Sequence, residues 1–125
     1  MSNVLEKIIK DKILSLDLIK RQNSIDSLEN KIKELKLFLN FKDAIKKNNG
    51  VSLISEIKKA SPSAGILVKN FNHIDLAKTY SESGATCLSV LTEKKYFLGK
   101  LEYIKDIKKN FKLPILAKDF FIDPY

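Results

Sequence analysis

Charged side chains interrupt two short apolar segments of the kind that form buried strands. Residues 52–58 read SLISEIK and residues 115–120 read ILAKDF. Because side chains alternate along a strand, Glu56 and Lys58 share one face of the first segment. Lys118 stands near the carboxyl end of the second. Unpaired buried charge is expensive, so these side chains need each other or a ligand.

The elements that position these residues begin with a helical region. Residues 3–21 carry aliphatic side chains at a period close to 3.6, which predicts an amphipathic helix. Ser24 can cap a second short helix, with Ser27 as a competing start. Helical turns around residues 38–47 then end at Asn48-Asn49-Gly50, a good C-terminal stop. We therefore predict an N-terminal helical extension over residues 1–50.

From residue 51 onward, strand-like and helix-like segments alternate. The rhythm is β-α-β-α-β with short links, which indicates parallel strands and right-handed crossovers in an α/β sheet or barrel. In such folds the ligand binds at the carboxyl ends of the strands. The segments are strands at 51–57, 85–91 and 114–117 and helices at 72–83 and 101–110.

Composition sets only broad limits on function. The 125 residues correspond to about one domain. The net charge of +8 invites a nucleic-acid-binding alternative, but the lysines alternate with acidic residues and Arg21 is the sole arginine. No apolar run is long enough to span a membrane, and residues 1–20 do not have the pattern of a secretory signal. Cys87 is the sole cysteine, so a reduced, cytoplasmic setting is expected.

Three segments carry a specific resemblance. They are LISEIKKASPS at residues 53–63, SVLTEKKYF at 89–97 with Gly99, and LPILAKDF at 113–120 with Asp123-Pro124-Tyr125. In order and at this spacing they resemble the first three strand signatures of indole-3-glycerol phosphate synthases. These enzymes are (β/α)8 TIM barrels with an N-terminal helical extension, so residues 51–125 are expected to be the first part of such a barrel.

The resemblance implies a carboxy-lyase of tryptophan biosynthesis. Its reaction would close the indole ring of 1-(2-carboxyphenylamino)-1-deoxyribulose 5-phosphate, releasing carbon dioxide and water, with no cofactor and no metal. By the same resemblance Lys118 would be the general acid, Lys58 would hold an anionic group of the substrate, and Glu56 would pair with the lysines. Ser61 would be a polar contact to the substrate.

The resemblance also assigns the walls of the substrate site and exposes one departure. Phe97 and Phe120 would flank the anthranilate ring. Ala64 stands where the family often has lysine, so a charge at that place is not expected. Residues that the family takes from later strands have no counterpart here. Those include a glutamate general base and the Gly/Ser loops that bind phosphate. We therefore expect these 125 residues to be inactive alone.

Other functions remain as alternatives. A non-catalytic half-barrel fragment or assembly subunit, docking with a missing C-terminal half-barrel, is the first. A different phosphosugar barrel enzyme, such as phosphoribosylanthranilate isomerase, is the second, and the motif around Glu56 and Ser61 argues against it. The nucleic-acid-binding domain is the third.

Several polar residues are expected to be structural. His73 is interpreted as a surface or capping histidine at a helix start, and Cys87 as a small core residue. Asp119 points away from the face of Lys118 and is expected to be structural. Thr92 and Glu93 stand at a strand end, where contact with ligand and capping both remain open.

Overall fold

A computed structural model describes residues 3–125, which form two compact units. One unit comprises the described residues up to Phe38 together with Phe120–Tyr125, and the other is Leu39–Asp119. The first unit holds the two N-terminal helices, and the second holds the strands and the helices that connect them. The second unit therefore carries the candidate site.

The helices of the first unit are α1 (Val4–Gln22) and α2 (Ile25–Lys33). Both begin where a side-chain oxygen accepts a backbone N–H: the Asn3 oxygen from Glu6, and the Ser24 hydroxyl from Ser27 at 3.2 Å. Ser24 is thus the observed cap, rather than Ser27. The same unit contains an ion pair between Lys20 Nζ and Asp123 Oδ2 at 2.7 Å.

The second unit alternates helices and strands. A short helix precedes the first strand, and a two-stranded hairpin follows that strand. The elements are α3 (Phe41–Lys47), β1 (Ile54–Ile57), β2 (Ala60–Ser61), β3 (Gly65–Ile66), α4 (His73–Glu82), β4 (Cys87–Leu91), α5 (Glu102–Asn110) and β5 (Ile115–Lys118).

The main sheet has the strand order β1-β4-β5, and both neighbouring pairs are parallel. Each strand therefore lies beside the next main-sheet strand along the chain, with α4 and α5 as the crossovers. Glu56 is opposite Ser89, and Ser89 is opposite Leu116. This is the β-α-β-α-β arrangement that the sequence predicts, and it matches the first three strands of a β/α barrel.

The core lies between this sheet and its two crossover helices. Burial of apolar surface there is the main stabilising contribution to the fold. Its buried members are Ile57, Ala77, Ala85, Leu88, Val90 and Ile107, with Ile74, Leu76 and Tyr80 of α4 packed against them. These three residues and Ala77 therefore form the inward face of α4.

Two features of the second unit differ from the sequence-based expectation. The first strand starts at Ile54 rather than at residue 51, because Val51 is 97% exposed and Ser52 donates to the Ile45 carbonyl of α3. The β2–β3 hairpin occupies residues 60–66, between the first predicted strand and the first predicted crossover helix, where no element is predicted. The domain boundary predicted at residue 50 stays a prediction, and the compact units divide the chain at Phe38 and Phe120.

Candidate functional site

Glu56, Lys58 and Lys118 stand on one face of the main sheet. Ile57, Leu88 and Val90 pack in the core with the helices, and alternation turns their neighbours to the opposite face. Glu56 and Ser89 form one row on that face, and Leu91 lies opposite Lys118 in the next row. The register also puts Lys58 one residue beyond the last β1–β4 pair. The Cα atoms of the two lysines therefore lie on either side of Leu91. They are about 9.5 Å apart, which is two strand spacings.

The Glu56 carboxylate holds two partners at once. Its Oε1 lies 3.2 Å from Lys58 Nζ, and its Oε2 accepts the Ser89 hydroxyl at 3.2 Å. Ser89 is almost fully buried on the central strand, whereas the Glu56 and Lys58 side chains are each 35% exposed. One carboxylate oxygen is therefore held by a buried hydroxyl and the other by the Lys58 ammonium. Ser89 is a residue that sequence reasoning missed.

Lys118 has a different environment from Lys58. It is the last residue of β5 and is exposed. No ion pair of Lys118 occurs within residues 3–125. Its backbone is fixed, because its carbonyl oxygen accepts the Thr92 N–H at 3.0 Å. The structure thus brings together one lysine paired with a carboxylate and one lysine whose ammonium is open.

The other predicted site residues are in loops. The Ser61 hydroxyl accepts the Ala64 N–H at 3.2 Å and lies 3.4 Å from the Ser63 hydroxyl, so it organises the hairpin turn. Phe97 follows β4 and is half-buried. Phe120 is also half-buried, and it belongs to the unit of α1 and α2. Substrate contacts for these residues stay predictions.

Two strand-end residues have structural partners. Thr92 Oγ1 donates to Asp119 Oδ2 at 2.9 Å, which joins the ends of β4 and β5. That contact supports the structural interpretation of Asp119. Glu93 is 6% exposed, and its carboxylate accepts backbone N–H groups from the loop that follows it. Of the two readings left open for Glu93, capping is the one observed.

The structure also shows the surroundings of Cys87 and His73. Cys87 is fully buried, as predicted, and burial raises the pKa of its thiol. His73 does not cap α4, since the Asn72 side chain accepts the first N–H groups. The His73 ring instead stacks on Tyr103 and lies 3.1 Å from Asp106 Oδ2, linking α4 to α5. The capping role expected for His73 is therefore wrong, while its side chain stays partly exposed at 20%.

Among residues 3–125, no group of three or more His, Cys, Asp and Glu side chains is placed to hold a metal ion. In the same described range, no helix has the length and apolar character to cross a bilayer.

Parallel strands joined by helices, with charged side chains at the carboxyl ends, place the second unit in the α/β barrel class. The family model described as "Indole-3-glycerol phosphate synthase" matches residues 5–125. The chain belongs to this family, whose fold is the TIM barrel, and the described sheet corresponds to its first three strands.

Individual relatives agree with that assignment. The indole-3-glycerol phosphate synthase of Clostridium acetobutylicum is 46% identical over 98% of this chain and 47% of its own length. That of Desulforamulus reducens is 45% identical over 97% of this chain and 46% of its own length. The "Tryptophan biosynthesis protein TrpCF" of Buchnera aphidicola is 44% identical over 98% of this chain and 26% of its own length. The chain thus spans about half the length of the curated synthases it matches.

Proposed function

We propose that this chain supplies the first part of an indole-3-glycerol phosphate synthase active site. The substrate would be 1-(2-carboxyphenylamino)-1-deoxyribulose 5-phosphate. Ring closure forms a bond between the carboxyl-bearing ring carbon and the ribulose carbonyl carbon, and loss of carbon dioxide and water completes the indole. The observation that carries the proposal is the shared face of Glu56, Lys58 and Lys118 at the carboxyl ends of parallel strands.

The two lysines have different roles in this proposal. Lys118, whose ammonium has no carboxylate partner in the described residues, donates a proton to the carbonyl oxygen as the new bond forms. Lys58, fixed by Glu56 at 3.2 Å, binds an anionic group of the substrate. Ser61 would contact the substrate, while Phe97 and Phe120 would flank the anthranilate ring.

The remaining strands of the barrel are the proposed partner of this face. Ile54 and Leu116 are 45% and 44% exposed, although both stand in main-sheet strands. In a closed barrel, side chains of the inner face are covered by those of the other strands. The general base and the phosphate-binding loops would come from the same strands, and a cytoplasmic location is proposed with the pathway.

The test joins or mixes the 125 residues with the C-terminal half of the Clostridium acetobutylicum relative. Indole-3-glycerol phosphate fluorescence reports ring closure. We expect turnover from the joined protein, none from the 125 residues alone, and loss of turnover in the Lys118→Ala joined protein. A well-folded joined protein without turnover would contradict the proposal.

The second candidate is a non-catalytic half-barrel that only docks with another chain, and the exposed Ile54 and Leu116 favour it. It predicts a stable complex with the C-terminal half and no ring closure. Sedimentation of the mixture, run beside the fluorescence measurement, separates the two functions.

A further inference from the structure

The loop between β4 and α5 is organised around one carboxylate. Glu93 Oε1 accepts the Lys95 N–H at 3.1 Å, and Oε2 accepts the N–H groups of Tyr96 and Phe97 at 2.6 and 3.0 Å. The side chain is 6% exposed. A buried carboxylate is tolerated where hydrogen-bond donors surround it, and charged acceptors make the stronger hydrogen bonds. The three N–H groups therefore account for the burial of Glu93.

Two further contacts close the loop behind this carboxylate. The Gly99 N–H donates to the Glu93 carbonyl at 2.8 Å. A Cβ on Gly99 would collide with the carbonyl oxygen of Leu91, so the returning chain passes directly over the end of β4. Leu98, just before it, has φ 52°, in the left-handed region that non-glycine residues seldom adopt. The loop is thus fixed at both ends.

We propose that Glu93 is a positioning residue for the substrate's aromatic ring. Its carboxylate fixes the backbone from Lys95 to Phe97 and thereby sets where the Phe97 ring stands in the loop that follows β4. The inference rests on the proposed function, because it takes the anthranilate ring as the group that Phe97 contacts. Glu93 itself reaches the reaction only through this loop.

The acceptor chemistry of the carboxylate makes the inference testable. Glu93→Gln keeps the shape but replaces one oxygen by an NH2 group, which cannot accept and would face a backbone N–H. Glu82→Gln is the matched control, because Glu82 is exposed at the end of α4 and its nearest cation, Lys78 Nζ, lies 4.0 Å away.

Amide hydrogen exchange of the 125-residue chain is the first measurement. In Glu93→Gln the amides of residues 95–97 should exchange at least about tenfold faster than in the parent chain, since local opening no longer breaks charge-assisted bonds. Amides of β4 and α4 should keep their rates, and Glu82→Gln should change none of these. Unchanged exchange at 95–97 overturns the inference. Equal acceleration throughout β4 and α4 also overturns it, because Glu93 would then only stabilise the fold.

Steady-state kinetics of the joined protein are the second measurement. Glu93→Gln should raise KM several-fold more than it lowers kcat, as should Phe97→Leu. The KM of the double variant should be no higher than that of the single variant with the higher KM. The reason is that both substitutions act through the Phe97 ring. Fully multiplicative effects would overturn the inference. If the parent joined protein lacks turnover, the proposed function fails, and the exchange measurement still decides whether Glu93 positions the loop.

Discussion

The two faces of the main sheet differ in residue type and in exposure, although the same strands form both. Toward α4 and α5, Ile57, Leu88 and Val90 are at most 1% exposed and wholly apolar. On the opposite face, the outer strands β1 and β5 carry half-exposed Ile54 and Leu116 together with Glu56 and the two lysines, whereas Ser89 and Leu91 of the central strand are buried. One face therefore supplies stability from within this chain. The other face carries the charged side chains of Glu56, Lys58 and Lys118, and the following predictions test that division.

The largest expected effect is on the open face. Lys118→Ala in the joined protein should lower kcat roughly 10²- to 10⁴-fold, the usual contribution of a general acid, with a smaller change in KM. Lys58→Ala should act more on KM, because that lysine is proposed to bind an anion. Steady-state fluorescence kinetics measure both. A rise in KM for Lys118→Ala with unchanged kcat would mean that Lys118 only binds.

A pair of truncations compares the faces directly. Leu88→Ala should cost about 2–5 kcal/mol of unfolding free energy, because Leu88 is fully buried. Leu116→Ala in the same 125-residue chain should cost about 1 kcal/mol or less, because that side chain is 44% exposed. Urea unfolding gives both values. In the joined protein the cost of Leu116→Ala should rise as the other strands cover it. Equal costs in the short chain would show that the faces do not differ in this way.

Ser89→Ala probes the link between the central strand and the charged pair. It removes the hydroxyl that donates to Glu56 at 3.2 Å, and a hydrogen bond to a charged group is worth about 1.5–3 kcal/mol. We expect kcat/KM of the joined protein to fall about tenfold or more, with an altered pH profile. Ser55→Ala, on the other face of β1, is the control and should have little effect. Similar losses in both variants would argue against a specific role for Ser89.

The smallest expected effect is in the first unit. The hydrogen bond from Lys20, helped by the Tyr125 N–H, lowers the pKa of Asp123. A folded pKa below the unfolded value means that this stabilisation is present above about pH 3.9 and is lost as pH falls through the folded pKa. In Lys20→Met the Asp123 pKa should move up toward its ordinary value, as followed by carboxyl NMR shifts. An unchanged pKa would assign the shift to Tyr125 alone.

Local patterns predicted the alternation of elements and the shared face well. Period-2 alternation alone puts Glu56 and Lys58 together, and the β-α-β-α-β rhythm gives the parallel sheet. Local patterns did not predict Ser89 as the partner of Glu56. The two residues are distant in sequence, and only the strand register brings them together.

Longer-range contacts explain the other omissions. The stacking of His73 on Tyr103 depends on how α4 and α5 pack, which no local pattern encodes. The hairpin of β2 and β3 is only two residues per strand, too short for a periodic signal. The Glu93 hydrogen bonds require the loop to turn back over β4, and the glycine that permits this stands six residues later, at Gly99.

The hydrogen bonds of Glu93 also shape the electrostatic field at the carboxyl ends of the strands. Its carboxylate accepts three backbone N–H groups, and one Asp119 oxygen accepts the Thr92 hydroxyl. Among the described residues, Glu56 shares its face of the sheet with Lys58 and Lys118, so two ammonium groups and one carboxylate lie on that face. An excess of positive charge there would attract anions from solution before any contact forms, and salt would weaken that attraction.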